Sequence, residues 1–361
     1  MPLDNAAALD ALRKVLDPEL RRDLVSLGMV KDLSVEGETV RLKVELTTPA
    51  CPLKETIGKD VKGALEAAGF RRVEVAWGAQ VRSAPGVAQS QLTPGVKNII
   101  LVGAGKGGVG KSTIAVNLAV GLAKLGAQVG ILDADIYGPS LPMLTGLTER
   151  PTSRDGQKLE PLEAHGVKAM SIGFLVDPDQ ALIWRGPMVT GALIQLLRDV
   201  NWGDLDYLVL DLPPGTGDVP LTLAQNVRAA GVVLVSTPQD VALADVIRAK
   251  LMFDKVSIPA LGIVENMSSF VCPHCRQETA IFAHGGVRTA AERMGIRFLG
   301  EIPIDLAIRE GGDKGVPVVS GAPDSPQAQA FFTVARNVAG AVSTQVLKAP
   351  RLPVIGAQPR A

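Results

Sequence analysis

From Val96 onward, the sequence alternates between short, unbroken apolar runs and stretches with helical periodicity. The runs are NIILVG, VGILDAD, YLVLDLPPG, VVLVSTP, ALGIVEN and FLGEIP. Strands that are apolar on both faces must be covered on both sides, and intervening helices place such strands parallel in one sheet. The sequence therefore predicts an α/β fold with a doubly wound, mostly parallel sheet.

A smaller α+β unit is predicted ahead of this sheet. Residues 5–16 and 53–68 repeat apolar positions at helical spacing. The segments ETVRLKVEL (38–46) and RVEVAW (72–77) have the composition and alternation of strands. We expect these four elements to form a domain over residues 1–82.

The rest of the chain divides by composition. Residues 83–96 are rich in Ser, Pro, Gly and Gln, which is typical of a linker. We expect the larger domain at 97–345 and, because of its many prolines, a flexible tail at 346–361.

Overall charge and composition restrict the classes of partner. Basic and acidic residues both number 37, so the net charge is zero, and aromatic residues are only 4%. Nucleic-acid and membrane-surface binding need a basic excess, so we expect neither partner. The three cysteines are too few for a disulfide framework, and the first residues do not form a secretory signal, so we expect a cytoplasmic protein.

A phosphate-binding loop is predicted between the first apolar run and the next helix. The segment GKGGVGKST fits GxxxxGK[ST] in the strand–loop–helix context that this motif requires. Lys111 is expected to reach the β- and γ-phosphates of ATP, and Ser112 to ligate Mg²⁺. The predicted nucleotide-binding residues of this loop are Gly105, Lys106, Gly107, Gly108, Val109, Gly110, Lys111, Ser112 and Thr113.

Lys106 is a second lysine that the basic phosphate cradle does not need. With it, the loop resembles the deviant Walker A signature of the MinD, ParA and nitrogenase iron-protein families. The resemblance implies that Lys106 crosses a homodimer interface and acts catalytically on the partner's nucleotide, while Lys111 acts on the nucleotide of its own subunit.

Carboxylates at two further strand ends complete the predicted site, because ligands bind at the carboxyl ends of such strands. By resemblance to the same class, Asp135 polarises the attacking water and Asp133 supports the Mg²⁺ shell, while Asp211 occupies the Walker B position. The class also implies that Asn266, just after the strand 261–264, contacts adenine. Pro303, after the strand 298–302, resembles the loop on the adenine side.

Cys272 and Cys275 form a CxxC pair that permits several chemistries. It could be a redox dithiol or an inert buried pair. Because one chain offers only two such thiolates, two copies could instead supply four to a tetrahedral Zn²⁺ or a [4Fe–4S] cluster.

The combination of GKGGVGKST, DADIYGPS, DLPPGTGD and NMSSFVCPHC resembles the Mrp/ApbC family of iron–sulfur cluster carriers. The resemblance covers about residues 97–345. It implies a [4Fe–4S] cluster bridged by Cys272 and Cys275 of two subunits, with His274 as a spacer or supporting group.

The front domain resembles the PaaD/SufT type, which is linked to metal–sulfur cluster assembly, through Asp17-Pro18-Glu19-Leu20 and Thr48-Pro49-Ala50-Cys51-Pro52. In this setting Cys51 is either a transient cluster or thiol ligand, or a small buried residue.

The expected function is therefore an ATP-dependent cluster carrier. Slow ATP hydrolysis would control the loading or release of a [4Fe–4S] cluster that is received from an assembly scaffold and passed to apo iron–sulfur proteins. Two alternatives remain at this point: a ParA/MinD-type positioning ATPase, and a dimeric NTPase bridged by zinc.

Overall fold

The computed structural model describes residues 3–84, 92–154, 156–176, 186–272, 274–275 and 277–348. Half of the predicted linker, 85–91, and most of the predicted tail, 349–361, lie outside these ranges. The last helix reaches Lys348, so the first residues assigned to the tail are helical. At the other end of the linker, the first strand of the large sheet already begins at Val96.

Twelve strands are found in the described residues. They are β1 Val30–Glu36, β2 Thr39–Leu46, β3 Arg72–Ala79, β4 Val96–Ala104, β5 Val129–Asp133, β6 Leu162–Ala164, β7 Val167–Ser171, β8 Leu205–Asp211, β9 Gly231–Ser236, β10 Ala260–Val271, β11 Glu278–Thr279 and β12 Phe298–Ile304.

Eleven α-helices accompany them in the same part of the chain, together with a 3₁₀ turn at Ile172–Phe174. They are α1 Asn5–Leu12, α2 Lys54–Ala67, α3 Lys111–Lys124, α4 Leu141–Thr145, α5 Gly186–Arg198, α6 Asp218–Asn226, α7 Asp240–Lys255, α8 Gly286–Met294, α9 Leu306–Asp313, α10 Val318–Gly321 and α11 Pro326–Lys348. None of the described helices has the length and apolar character that a bilayer crossing requires.

The front unit is a three-stranded sheet in the order β1-β2-β3, with β1–β2 antiparallel and β2–β3 parallel. Alternate residues of β2, among them Val40 and Val44, are fully buried and pack with Ile57 and Val61 of α2. The sequence analysis missed β1, because this strand buries neither face fully and is interrupted by Asp32, whose φ is +49°.

The large sheet confirms the predicted fold class. Its strands follow the order β6-β7-β5-β8-β4-β9-β10, with β12 beside β10 at the far edge. The pairing is parallel except for two short antiparallel additions, β6 on β7 and β11 on β10. The core strands are fully buried. Because they are parallel, their carboxyl ends all lie at the same end of the sheet, where the predicted phosphate loop also lies.

The front unit docks against the opposite edge, where these strands begin. The buried hydroxyl of Tyr207, near the start of β8, donates to Thr48 Oγ1 at 3.0 Å. Asn98, near the start of β4, donates from Nδ2 to the Arg82 carbonyl at 3.0 Å. Side-chain hydrogen bonds between buried groups fix relative positions, because leaving either partner unpaired costs about 1–3 kcal/mol.

An ion pair joins the same two units at the periphery. Arg297, immediately before β12, places Nη1 at 2.8 Å from Glu19 Oε1. The other oxygen of Glu19 accepts from Thr344 Oγ1, near the end of α11, at 3.4 Å. The front unit is thus held to the starting ends of β4, β8 and β12.

Candidate functional site

The loop between β4 and α3 is shaped by glycines that cannot be replaced without strain. Gly108 and Gly110 have φ angles of +79° and +81°, a region that glycine adopts readily and other residues rarely do. Gly110 also begins α3 without any side-chain cap, so the first N–H groups of this buried helix are left for another acceptor. A helix start of this kind suits the binding of an anionic phosphate.

Gly105, at the start of the loop, lies directly against α7. A Cβ atom built on Gly105 would overlap the backbone of Asp245, which cannot move without displacing the helix. A Cβ on Gly107 would find no atom closer than Pro214 Cβ, at 4.0 Å.

We expect Gly105→Ala to destabilise the protein by about 2 kcal/mol, because overpacking against backbone forces the loop and α7 apart. Nucleotide affinity should fall as the loop is displaced. Urea unfolding and nucleotide titration check both effects. Gly107→Ala is the matched control for stability, and equal stability of the two variants would contradict the packing argument.

Lys111, Ser112 and Asp211 come together at the base of the loop. The Lys111 ammonium is buried and lies 2.5 Å from Asp211 Oδ1, and its Nζ donates to Ser112 Oγ at 3.3 Å. The contact pairs two buried charges that would each be costly alone. It brings the predicted phosphate lysine, magnesium ligand and Walker B carboxylate into one cluster, although they lie 100 residues apart in sequence.

Asp133 is enclosed behind this cluster. Its Oδ2 accepts from the backbone N–H groups of Ser140 and Leu141 at 3.0 and 3.1 Å, and from Ser171 Oγ at 3.2 Å. Burial and the nearby negative charge of Asp211 raise the pKa of Asp133 to about 7. Asp133 therefore anchors the start of α4 within the charged site.

Asp135 faces the same cavity as the two loop lysines. This cavity, of about 220 Å³, is lined by the phosphate loop together with Lys106, Asp135 and Pro214. Burial raises the pKa of Asp135, while the positive charge of Lys111 lowers it. Lys106 forms no ion pair with any residue that the structure describes, which leaves its ammonium available to a group outside this chain.

Asn266 lies inside a strand and not after one. The sequence analysis ended this strand at residue 264, but β10 continues to Val271 because it pairs with β12 and then folds back onto β11. Asn266 is buried, and its Nδ2 donates to the Val109 carbonyl at 2.8 Å. The side chain therefore holds the back of the phosphate loop, and contact with adenine stays a prediction.

Pro303 also lies in a strand, so its assignment to a loop was wrong. β12 extends to Ile304, because Phe270 and Ile304 pair beyond an irregularity in the β10–β12 register. A proline is tolerated here because β12 pairs with β10 alone and Pro303 falls within the irregularity, where no ladder bond is lost.

Cys272, His274 and Cys275 lie at the tip of a hairpin between β10 and β11. The Cys272 N–H donates to the Gln277 carbonyl at 3.0 Å and closes the hairpin. Cys272 is half-buried and Cys275 is exposed. Hydrogen bonds from the backbone N–H groups of Cys275 and His274, followed by the Cys275 thiol, lower the pKa of Cys272. Two thiols thus lie side by side at the surface, which is incompatible with an inert buried pair.

Cys51 lies at the opposite edge of the large sheet. Its neighbours Thr48 and Pro49 contact Tyr207 and Gly126, at the starting end of the strands. Strand β4 alone spans nine residues, which separates the two edges by roughly 26 Å. Cys51 and the CxxC pair of the same chain therefore cannot ligate one cluster.

The environment of Cys51 is that of a protonated thiol. Burial is the main cause that raises its pKa, and the negative charges of Asp17 and Glu19 raise it further. Asp17 is itself fixed in a turn, where Oδ1 accepts from the N–H groups of Glu19 and Leu20 at 2.9 and 2.8 Å. These observations favour the interpretation of Cys51 as a small packed residue over its interpretation as a cluster or thiol ligand.

Two contributors to the site were missed in the sequence. Ser171, which ends β7, bonds the Asp133 carboxylate, and Asn117 of α3 donates to the Thr113 carbonyl at 2.9 Å. Ser171 follows the segment VKAM, in which only Lys168 is polar, so a polar residue at a strand's carboxyl end was the available signal. Asn117 gave no such signal in the sequence, because a polar residue inside a helix is usually exposed to solvent.

Comparison with known proteins matches both units of the chain to families. The model of the NUBPL iron-transfer P-loop NTPase family matches residues 95–339. A second family model, described as an iron-sulfur cluster assembly protein, matches residues 5–77.

Among the most similar curated relatives, an iron-sulfur cluster carrier protein of Deinococcus radiodurans is 51% identical over 355 residues, which cover 97% of this chain and all of the relative. The iron-sulfur cluster carrier protein of Escherichia coli is 44% identical, with 91% of this chain and 89% of the relative covered. The iron-sulfur cluster transfer protein NUBPL of Dictyostelium discoideum is 51% identical, with 72% of this chain and 82% of the relative covered.

Two solved structures share the fold of the larger unit. A nucleotide-binding protein of Archaeoglobus fulgidus, in complex with ADP, has a TM-score of 0.57 at 42% identity and covers 66% of this chain and 92% of its own. The cell division ATPase MinD of Pyrococcus furiosus has a TM-score of 0.51 at 23% identity, with 67% of this chain and 98% of that chain covered. The second likeness concerns the fold alone.

Proposed function

Since this chain belongs to the family of NUBPL iron-transfer P-loop NTPases, we propose that it is an ATP-hydrolysing carrier of a [4Fe–4S] cluster held between two copies of the chain. It would receive the cluster from an assembly scaffold and deliver it to apo iron–sulfur proteins in the cytoplasm. The observation that carries the proposal is the presence, on one sheet, of a phosphate-binding loop beside its carboxylates and of a thiol pair just after β10, with Cys275 exposed and Cys272 half-buried.

The residues around the loop fit Mg·ATP. The uncapped start of α3 and the Lys111 ammonium provide positive charge for the phosphates, and the Ser112 hydroxyl suits Mg²⁺. Binding would draw Lys111 from Asp211 toward the phosphates. Asp211 would then be free to help hold the magnesium ion, and Asp133, behind Asp211, would support this role.

Hydrolysis would need groups from both subunits. Asp135, just after β5, lines the cavity and would orient the attacking water. The partner subunit's Lys106 would supply positive charge to the phosphates in the transition state, as arginine fingers do in other P-loop enzymes. The lack of an ion pair on Lys106 among the described residues supports this role.

The same strand links the phosphate loop to the thiol pair. Asn266 of β10 bonds the loop at Val109, and Cys272 follows six residues later, directly after the end of this strand. Movement of the loop on ATP binding would thus be transmitted to the hairpin. We propose this connection as the coupling between hydrolysis and release of the cluster.

The role of Lys106 across the dimer predicts a specific complementation. Lys106→Ala and Asp135→Ala should each lower hydrolysis by about a hundredfold or more. A mixed dimer of the two variants unites one intact lysine with one intact aspartate in a single site, so about half of the wild-type rate per dimer should return if both single variants fold.

The measurement is phosphate release from dimers purified through two different affinity tags. Mixed dimers of Lys106→Ala with Lys106→Ala,Asp135→Ala chains are the matched control, because they contain no complete site. No recovery in the test dimer would show that Lys106 works within its own subunit, and recovery in the control would show that hydrolysis does not need Lys106.

A further inference from the structure

A second group of potential metal ligands lies outside the nucleotide site and the CxxC pair. Glu265 of β10, His284 before α8 and Glu301 of β12 place one ligand atom each within 4.8 Å of the other two. His284 Nε2 and Glu301 Oε2 are 3.1 Å apart. The three side chains come from three different elements, so only the folded chain brings them together.

Glu265 is a buried carboxylate without a cationic partner in the described part of the chain. It has no exposed surface, and its two oxygens accept from the N–H groups of Gly285 and Val287 at 3.2 and 2.9 Å. These bonds fix the carboxylate in place but leave each oxygen a further lone pair. Buried charges are usually paired or bound to a metal.

Arg288, the nearby arginine on α8, is not a cationic partner of Glu265. The guanidinium of Arg288 lies 4.1 Å from the centre of the Phe298 ring, and it forms no ion pair with a described residue. His284 and Glu301 are half-exposed, so an ion from solvent can reach the group and the two side chains can adjust to it.

The chemistry of the three donors selects a class of ion. Two carboxylates balance the charge of a divalent cation, and an imidazole favours zinc and other first-row transition metals over Mg²⁺ and Ca²⁺. Donor atoms around a tetrahedral ion of this kind lie roughly 3.4 Å apart, a spacing that the His284–Glu301 pair already approaches. Three protein ligands leave one position for water, so the ion would be exchangeable.

We propose that Glu265, His284 and Glu301 form a binding site for a divalent first-row transition metal. The bound ion ties the start of α8 to β10 and β12, next to Asn266. This site uses no thiol and does not depend on the cluster proposed above.

The test uses the full chain with both CxxC cysteines replaced by serine and without nucleotide or Mg²⁺. Titration with Co²⁺, followed by visible absorption and by metal analysis after dialysis, should show about one tight site per chain. Zn²⁺ should displace the Co²⁺. Because the CxxC thiols are absent, failure of the cluster proposal would not affect this result.

His284→Asn and Glu301→Gln, both at exposed positions, should each weaken Co²⁺ binding by about tenfold or more. Glu292→Gln, at an exposed position near the end of α8, is the matched control and should bind like its parent. Absence of a tight site, or equal affinity in the His284→Asn protein, would overturn the proposal.

Discussion

Lys111→Ala is expected to abolish nucleotide binding and to lower ATP hydrolysis by at least about a hundredfold, because Lys111 is the buried cation at the base of the phosphate loop. The same change removes the only ion-pair partner of Asp211 among the described residues and leaves a buried carboxylate unpaired. We therefore expect the nucleotide-free protein to lose about 3 kcal/mol of unfolding free energy as well.

Fluorescent nucleotide titration, phosphate release and urea unfolding measure these effects separately. Lys111→Arg keeps a cation beside Asp211, so stability should be largely retained while hydrolysis is lost. Lys124→Ala, at an exposed position at the end of the same helix, is the control for both readouts. Hydrolysis that persists in the folded Lys111→Ala protein would contradict the assignment of the phosphate loop.

Replacement of Cys272 or Cys275 by Ala is expected to remove the bridging cluster. Each variant leaves one thiolate of the pair per subunit, which is too few for the four ligands of a [4Fe–4S] centre. After anaerobic reconstitution, iron should fall from about four atoms per dimer to fewer than about one, with loss of the brown absorbance. ATP binding should persist, since the hairpin tip is separate from the phosphate cavity.

Cys51→Ala is the matched control and should keep its full iron content, because Cys51 lies at the opposite edge of the sheet. Light scattering of the reconstituted proteins tests whether cluster loss weakens the dimer. Full iron content in the Cys272→Ala protein would contradict the bridging site. Uptake of Zn²⁺ in place of iron by the unmodified protein, lost in the Cys272→Ala protein, would favour the zinc-bridged dimeric NTPase.

Sequence reasoning succeeded where the signal is local. The phosphate loop could be placed because its glycines, lysine and hydroxyl residues occupy nine consecutive positions between a strand and a helix. Asp133 and Asp211 could be placed because each ends an apolar run, and parallel strands share the edge at which their carboxyl ends lie.

It failed where long-range pairing decides the structure. The extension of β10 through Asn266 depends on β12 and β11, which follow it in the chain, and the contact between Asn266 and Val109 joins residues 157 positions apart. The docking of the front unit likewise depends on Thr48 meeting Tyr207, whose separation is 159 positions. No periodicity within a short window contains such information.

The attachment of the front unit would also determine the outline of the proposed dimer. Two chains that meet through their phosphate loops and hairpin tips would direct the starting ends of their strands away from each other. The two front units would then lie at opposite ends of the dimer, each separated from the shared interface by the length of strand β4, roughly 26 Å. The particle would be elongated, and each pole could engage a separate protein while the centre stays closed.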